Sequence, residues 1–428
     1  MTSPSLEDLD RRHIWRPFTQ AATQSPALRA VSGKGTSITT ADGKTYLDMV
    51  SSWWVNLHGH ANPKIAQAIS EQAQRLEQAI FAEFTHEPAI RLAAGLADIL
   101  PGDLERVFYS DDGSTAVEVA LKLALQYWRN QGSKRGAFIG FDGGYHGDTV
   151  GAMSLGRSSS YFSVWEEMLF PIRIAPFPAT WDGDGEVEEK EAKALTALET
   201  FLADGKVAGV IIEPLAQGAS GMRFCRPQFI KAVERIVHAH GTLLIFDEVM
   251  TGFGRTGDLF AATKSDVVPD MICLSKGLTG GFLPMAATVV RPFIYDAFLH
   301  QDLRKAFLHG HSYTANPLGC AAALASLELL LDPACAQARA RIETTHRTRL
   351  DGIAPLVERT RSCGTIAAFT LADGMAQRLK RHMMDKGILI RPLGNDVYLI
   401  PPYCTQDAEL CRVWDELKAG LEAIRNTD

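Results

Sequence analysis

Between about residues 105 and 330, short unbroken apolar runs alternate with longer stretches whose apolar positions recur every three or four residues. "RVFYS" (106–110) precedes "TAVEVALKLALQYW" (115–128), and "GAFIGF" (136–141) follows. "VAGVIIEP" (207–214) leads into "PQFIKAVERIVHAH" (227–240), and then come "TLLIFDEV" (242–249), "MICLS" (271–275) and "MAATVV" (285–290). Short runs rich in Val, Ile and Leu read as strands buried on both faces. The periodic stretches between them read as helices. This alternation predicts an α/β fold with a mostly parallel central sheet covered by helices, and a ligand site beyond the carboxyl ends of its strands.

The two chain ends are patterned differently. Residues 28–48 predict short strands around the turn Asp42-Gly43. After residue 330 a helix precedes "GTIAAFTL" (364–371), "ILIRPLG" (388–394) and "VYLIPPY" (397–403), and a helix closes the chain. A large unit over 51–329 is therefore expected, with a smaller α+β unit built from 1–50 and 330–428. The acidic stretch "WDGDGEVEEKEAKA" (181–194) reads as a solvated loop entering a helix.

Composition narrows the class. The chain has 428 residues, 46% hydrophobic and 22% charged, enough for a large core. The net charge of -7 comes from interspersed signs, without the basic block that nucleic acid or an anionic membrane demands. No apolar stretch approaches ~18 residues, so no membrane span is expected. The opening residues "MTSPSLEDLDRRHIW" are polar and acidic, unlike a signal peptide. Seven scattered cysteines without a C-x-x-C read as reduced thiols of a cytoplasmic protein.

Three strand ends carry the candidate chemistry. In "FYSDDGSTAVE" a strand stops, Gly113 turns the chain and a helix begins. Thr115 and Glu118 have capping-box spacing. Gly113 and Ser114 would present N–H groups, a hydroxyl and the positive end of a helix dipole, an arrangement suited to phosphate. In "LLIFDEVMTGFGRTG", Asp247 follows an apolar run directly. In "MICLSKGLTGGFLP", Lys276 stands at the end of another apolar run. A phosphate site, a carboxylate and an amine at one sheet edge are what pyridoxal phosphate needs: an anchor for its phosphate, an acid partner for its ring nitrogen, and an amine for its aldehyde. "GYHGDT" adds Tyr145, whose ring can stack on such a cofactor.

A literal G-x-G-x-x-G at Gly252, Gly254 and Gly257 raises a rival, a dinucleotide-binding oxidoreductase. Its context is wrong. Asp247-Glu248 intervenes after the strand, and no apolar helix follows the glycines. Two H-x-H pairs, His58/His60 and His309/His311, lack the carboxylate-rich partners of a metal site, so no metal is expected.

At these residues the sequence resembles the class III aminotransferases, pyridoxal-phosphate enzymes of fold type I. "IFDEVMTGFGRTG", "LSKGLTGG" and "HGHSYTANPLGCAAALA" are similar to that family's signature segments, and the resemblance spans nearly the whole chain. Narrower segments are "IWRPFTQ" (14–20), "SSWWVNLHGHANP" (51–63), "ALQYW" (124–128), "GYHGDT", "QGASGM" (217–222) and "RPLG" with "YLIPPY". These are similar to members that convert 8-amino-7-oxononanoate to 7,8-diaminononanoate in biotin synthesis, usually with S-adenosylmethionine as amino donor. Omega-amine members share the lysine segment but generally lack the paired tryptophan and the closing "RPLG".

The resemblance implies a role for each matching residue. Lys276 becomes the Schiff-base lysine and Asp247 the partner of the ring nitrogen. Gly113 and Ser114 take the phosphate, Tyr145 packs on the ring, and Glu213 lies near the cofactor. Ser312 contacts the phosphate from a neighbouring subunit, which implies a homodimer with sites at its interface. Phe18, Trp53, Trp54, Tyr145 and Gly310 line the substrate pocket. Arg391 pairs with the substrate's far carboxylate, with Arg255 as a supporting charge. Phe18 stands where S-adenosylmethionine users carry tyrosine, and His311-Ser312 where some carry Pro-Thr. "WRPFTQ" and "HGHSYT" also occur in members that take the amino group from lysine. The expected donor is S-adenosylmethionine, with lysine as the alternative.

Overall fold

Seven strands form the central sheet of the computed structural model, which describes residues 4–425. The first three and last three residues, counted above in the smaller unit, lie outside the described residues. Across the sheet the order is Arg106–Ser110, Ala286–Val290, Met271–Leu274, Leu243–Asp247, Val207–Ile212, Ala137–Phe141 and Arg173–Ala175. The last five pair in parallel, as the alternating pattern predicts.

One strand departs from the parallel set. "MAATVV" runs antiparallel to both of its neighbours, Met271–Leu274 and Arg106–Ser110. Residues 275–285 join it to the preceding strand through a single short 3₁₀ turn, Lys276–Thr279. That connection is too short for the helical crossover a parallel partner requires. Arg106–Ser110, two antiparallel steps away, again points the same way as the parallel set.

The continuous apolar runs have a direct physical reason. Every residue of Val207–Ile212, Leu243–Asp247, Met271–Leu274 and Ala286–Val290 is buried. Successive side chains feed two different cores. Leu243 and Ile245 pack with Val117 and Leu121 of the helix Gly113–Asn130 on one face. Leu244 and Phe246 pack with Leu198 and Val233, from the helices Val187–Leu202 and Pro227–Ala239, on the other.

The chain ends share a second sheet. Ala30–Lys34, Ser37–Thr40 and Thr45–Asp48 form an antiparallel meander, and Ile388–Leu389 adds to Thr45–Asp48 in parallel. Glu358–Cys363, Ile366–Thr370 and Asp396–Leu399 make a further antiparallel sheet beside the helices Pro333–Ile353 and Asp407–Arg425. Among the described residues no single helix is long and apolar enough to cross a membrane. The bent pair Pro317–Leu331 and Pro333–Leu356 passes that test only jointly, across a 69° bend. Its first arm packs on Pro63–Ala73 and Glu87–Ile99.

The capping expectation also needs correction. Asp112, not Thr115, caps the helix Gly113–Asn130. The Thr115 N–H donates to Asp112 Oδ1 at 3.0 Å, and the Asp112 N–H donates to Thr115 Oγ1 at 3.1 Å. Asp112 wins because it sits one turn earlier and is itself a strong cap. Glu118 instead accepts from the Gly151 N–H at 2.7 Å and the Ala152 N–H at 3.2 Å, at the start of the helix Val150–Leu155.

The G-x-G-x-x-G run is a packing device. It lies in consecutive turns rather than opening a helix. A Cβ on Gly254 would fall 2.6 Å from the Arg339 guanidinium. Gly364, in the turn between Glu358–Cys363 and Ile366–Thr370, presses on the same run. Its φ is +56°, and a Cβ there would meet the Gly257 nitrogen at 2.1 Å and the Thr256 carbonyl carbon at 2.3 Å. Gly364→Ala should therefore cost at least ~2 kcal/mol in urea unfolding. Gly352→Ala, at a helical site with nothing within 4 Å, should be neutral or gain up to ~1 kcal/mol. Equal stabilities for the two variants would contradict this packing.

Candidate active site

Strands that run the same way deliver their carboxyl ends to one edge of the sheet. There Ser114, Tyr145, Glu213, Asp247 and Lys276 line a single cavity of about 680 Å³. Lys276 opens the 3₁₀ turn with φ 35°, a conformation unusual for a side-chain-bearing residue. Its Nζ lies 5.3 Å from the centre of the Trp54 ring. Burial pulls the amine below the ordinary lysine value of 10.5, while the Asp247 and Glu213 carboxylates pull it partly back.

Asp247 is held on both oxygens. Oδ1 accepts from the Val249 N–H at 3.1 Å, and Oδ2 lies 2.7 Å from His146 Nδ1. Burial alone would keep His146 neutral. The hydrogen bond and charge of Asp247, with Glu213 behind, outweigh it and raise the imidazole above its usual value. Glu213 accepts the Tyr145 and Gly218 N–H groups, each at 3.0 Å. Burial, reinforced by the Asp247 charge and opposed by His146, lifts Glu213 to about 7. His146 is the residue that sequence reasoning passed over. Its signal was its place directly after Tyr145 at a strand end.

The opposite side of the cavity is built for an anion. Among the described residues, no protein acceptor takes the N–H of Gly113 or Ser114, at the head of an 18-residue helix. A Cβ on Gly113 would lie 2.7 Å from Val249. Gly147, at φ +125°, leaves room for the Ser114 hydroxyl, which a Cβ would approach to 2.1 Å. Ser114 Oγ accepts from the Asp148 N–H at 3.1 Å.

Aromatic groups form the remaining wall. The Tyr145 ring stacks on Phe162 at 5.6 Å and 19°, and its hydroxyl donates to Asp148 Oδ1 at 2.9 Å. Burial, with Asp148 beside it, pushes the Tyr145 phenol upward. Phe18 meets Trp53 and Tyr161 edge-on, at 5.5 and 5.9 Å. Trp54 is pinned by an Nε1–H bond to the Tyr398 hydroxyl at 3.0 Å. The Arg391 guanidinium lies 4.0 Å above the Trp53 ring and lines the cavity. No carboxylate among the described residues forms an ion pair with it. Tyr161 was not anticipated, because nothing local in "SSSYFSVW" ties it to the site.

Three expected site residues lie off this cavity. The Arg255 guanidinium is buried and donates to the Pro401 and Asn56 carbonyls, at 2.8 and 3.0 Å. Gly310 and Ser312 are exposed, and the Ser312 carbonyl accepts from Gln78 Nε2 at 2.8 Å. The His311 ring lies 3.5 Å from Asp111, which does line the cavity. His58 and His60 bond to Ser326 and Asp48.

A half-buried amine of lowered basicity and a buried carboxylate in one cavity, beside an anion cradle, is chemistry shared by a whole family. Residues 19–421 match the family described as Aminotransferase class-III. The chain belongs to the class III aminotransferases. It is 53% identical to the adenosylmethionine-8-amino-7-oxononanoate aminotransferase of Synechococcus elongatus, over 96% of this chain and 99% of that protein. The crystal structure of the aminotransferase of the same name from Methanocaldococcus jannaschii superposes with a TM-score of 0.91, at 34% identity over 98% of both chains. An omega transaminase from Pseudomonas jessenii, solved with PMP, gives 0.93 at 25% identity over 99% of both. This aminotransferase is therefore a fold type I enzyme that depends on pyridoxal phosphate.

The lowered lysine can be tested without turnover. In the cofactor-free aminotransferase, an amine-selective acylating reagent should modify Lys276 with a pH inflection below 10.5. Asp247→Asn removes a charge that raises Lys276, so the inflection should move lower still. An inflection that rises in Asp247→Asn would contradict the electrostatics.

Proposed function

We propose that this aminotransferase converts 8-amino-7-oxononanoate to 7,8-diaminononanoate, with S-adenosylmethionine as amino donor. The observation that carries the reading is Arg391, a guanidinium without an ion-pair partner among the described residues, held over Trp53 in the cavity that Lys276 also lines. A nine-carbon substrate whose carboxylate meets Arg391 would bring its ketone toward Lys276, and a planar guanidinium suits two carboxylate oxygens. The names of the Synechococcus and Methanocaldococcus relatives support the same substrate and donor.

The residues present fit pyridoxal phosphate. Two unpartnered N–H groups and the Ser114 hydroxyl suit its phosphate, and the space kept by Gly113 and Gly147 admits it. When bound, the cofactor supplies an aldehyde for amines and a ring that accepts electrons. Asp247 would face the ring nitrogen and hold its proton, and His146 orients Asp247. Tyr145 orients the ring. Lys276 Nζ would hold the cofactor through its aldehyde. As a free amine it would take the proton from the substrate carbon that bears nitrogen and deliver it to the cofactor's former aldehyde carbon, and it would move a proton the opposite way for the acceptor. Phe18, Trp53 and Trp54 keep water from that carbon and carry the apolar chain. Arg255 serves at one remove, by tying the backbone at Asn56 to Pro401.

We further infer a homodimer in the cytoplasm. Gly310 and Ser312 stand outside their own cavity on an exposed loop. Apolar side chains around that loop, Ile80, Phe84, Leu308 and Tyr313, are all at least 60% exposed in the single chain. A second copy laid over this face would bring Ser312 to its partner's phosphate site and Gly310 to its substrate. The two units of each chain, 51–329 and the smaller one from 1–50 and 330–428, would meet at the cavity.

Single-turnover absorbance with each substrate alone tests the whole reading. S-adenosylmethionine should convert the cofactor to its aminated form, and 8-amino-7-oxononanoate should convert it back. Arg391→Ala should slow the second step by roughly 30-fold or more, the effect of removing ~2–5 kcal/mol of ion pairing, and leave the first less affected. Rapid amination by lysine with none by S-adenosylmethionine would replace the donor. Equal damage to both steps would remove Arg391 from the carboxylate.

A further inference from the structure

The strap that carries both tryptophans is strained, and one buried carboxylate outside the cavity holds it. Ser51, Ser52 and Trp54 have φ values of 48°, 63° and 68°, and none is glycine. Such conformations cost ~1–3 kcal/mol each and persist only where their surroundings over-determine them. The Asp48 side chain is fully buried. Its Oδ1 accepts from the Val50 N–H at 3.1 Å, and its Oδ2 accepts from the Ser52 N–H at 2.6 Å and the Ser52 hydroxyl at 3.4 Å. His60 Nε2 lies 2.9 Å from the same Oδ2. Ser51 Oγ adds a bond to the Ile400 carbonyl at 2.7 Å.

Asp48 also sits beside the strand that delivers Arg391, Ile388–Leu389. It ends Thr45–Asp48 and pairs with Leu389, two residues before that arginine. The next N–H, of Met49, donates to the Leu389 carbonyl at 3.1 Å. Trp53 and Arg391 then meet 4.0 Å apart inside the cavity. One residue thus joins the two elements that form the substrate wall, on the side away from Asp247.

We infer that Asp48 is a positioning residue for acceptor recognition: its carboxylate, oriented by His60, fixes the strained Ser51–Trp54 strap so that Trp53 and Arg391 jointly receive an aliphatic carboxylate. The inference rests on the substrate proposed above. An amide cannot substitute, because the nitrogen replacing one oxygen would face the Ser52 N–H or the Val50 N–H, donor against donor. The cofactor side of the cavity rests on other strands and stays intact.

Asp48→Asn in the holoenzyme tests it. The KM for 8-amino-7-oxononanoate should rise about tenfold, with kcat within about threefold and cofactor content unchanged. Calorimetric binding of nonanoate should weaken in parallel. A substrate-free readout separates this from the substrate reading: with fluorotryptophan incorporated, the fluorine resonances of Trp53 and Trp54 should shift or broaden while that of the distant Trp414 stays fixed. Those two resonances are identified by Trp→Phe replacement. If the wild type neither binds nonanoate nor uses the oxononanoate, the substrate proposal falls and the fluorine signals decide for Asp48. Unmoved Trp53 and Trp54 signals, or a loss of cofactor and a shift of every resonance together, would overturn the positioning role. Should Asp48→Asn not fold, His60→Ala decides by the same measurements. A raised KM with kept kcat supports the inference, and an unchanged KM overturns it.

Discussion

Asp247 and Glu213 are carboxyl groups buried at one edge of the sheet beside the half-buried Lys276, and keeping these ionisable groups together there is the constraint that the surrounding structure serves. Each buried, unpaired charge would cost several kcal/mol. The structure offsets that cost locally. Asp247 has a backbone N–H and His146, and Glu213 has two backbone N–H groups. Among the described residues Lys276 Nζ has no hydrogen-bonding partner, and it loses basicity. An aminotransferase needs an amine that gives up its proton readily. Because Asp247 ends a strand and Glu213 and Lys276 follow within two residues of theirs, their spacing is set by the sheet.

Chemistry and specificity are carried by different parts of the chain. The central strands supply Glu213, Asp247 and Lys276, and the turns after Arg106–Ser110 and Ala137–Phe141 supply Gly113, Ser114, Tyr145 and His146. The segments from the chain ends, around Phe18, Trp53 and Arg391, supply the aromatic and cationic wall. Strained backbone occurs in both parts, at Ser51, Ser52 and Trp54 in that wall and at Lys276 on the catalytic edge. In the proposed reading this division lets one catalytic edge serve different amines. The omega transaminase of Pseudomonas jessenii keeps nearly the same backbone at 25% identity.

Local pattern made the strands and the edge legible. Unbroken apolar runs mark strands buried on both faces, and Asp247 and Lys276 were visible because each follows such a run. Gly113 and Ser114 were legible for the same reason. What depends on distant pairing was not. The reversed direction of "MAATVV" follows from a short connection. The cap at Asp112 wins a competition between neighbouring candidates. His146 gains its role from Asp247, a hundred residues away, and Asp48 gains its role from strand pairing with Leu389. Arg255 shows the opposite error, since a motif residue expected near substrate spends its guanidinium on two backbone carbonyls. Gly310 and Ser312 lie off their own chain's cavity, and in the proposed reading a second chain gives them a role.

Borohydride reduction of the purified enzyme with its cofactor, followed by peptide mapping, tests the central claim most directly. The claim is that the sheet edge presents Lys276 to pyridoxal phosphate opposite Asp247. The predicted result is one pyridoxyl group, on the peptide that contains Lys276, with none on any other lysine. A pyridoxyl group on another lysine, or none on the Lys276 peptide of an active enzyme, would contradict it.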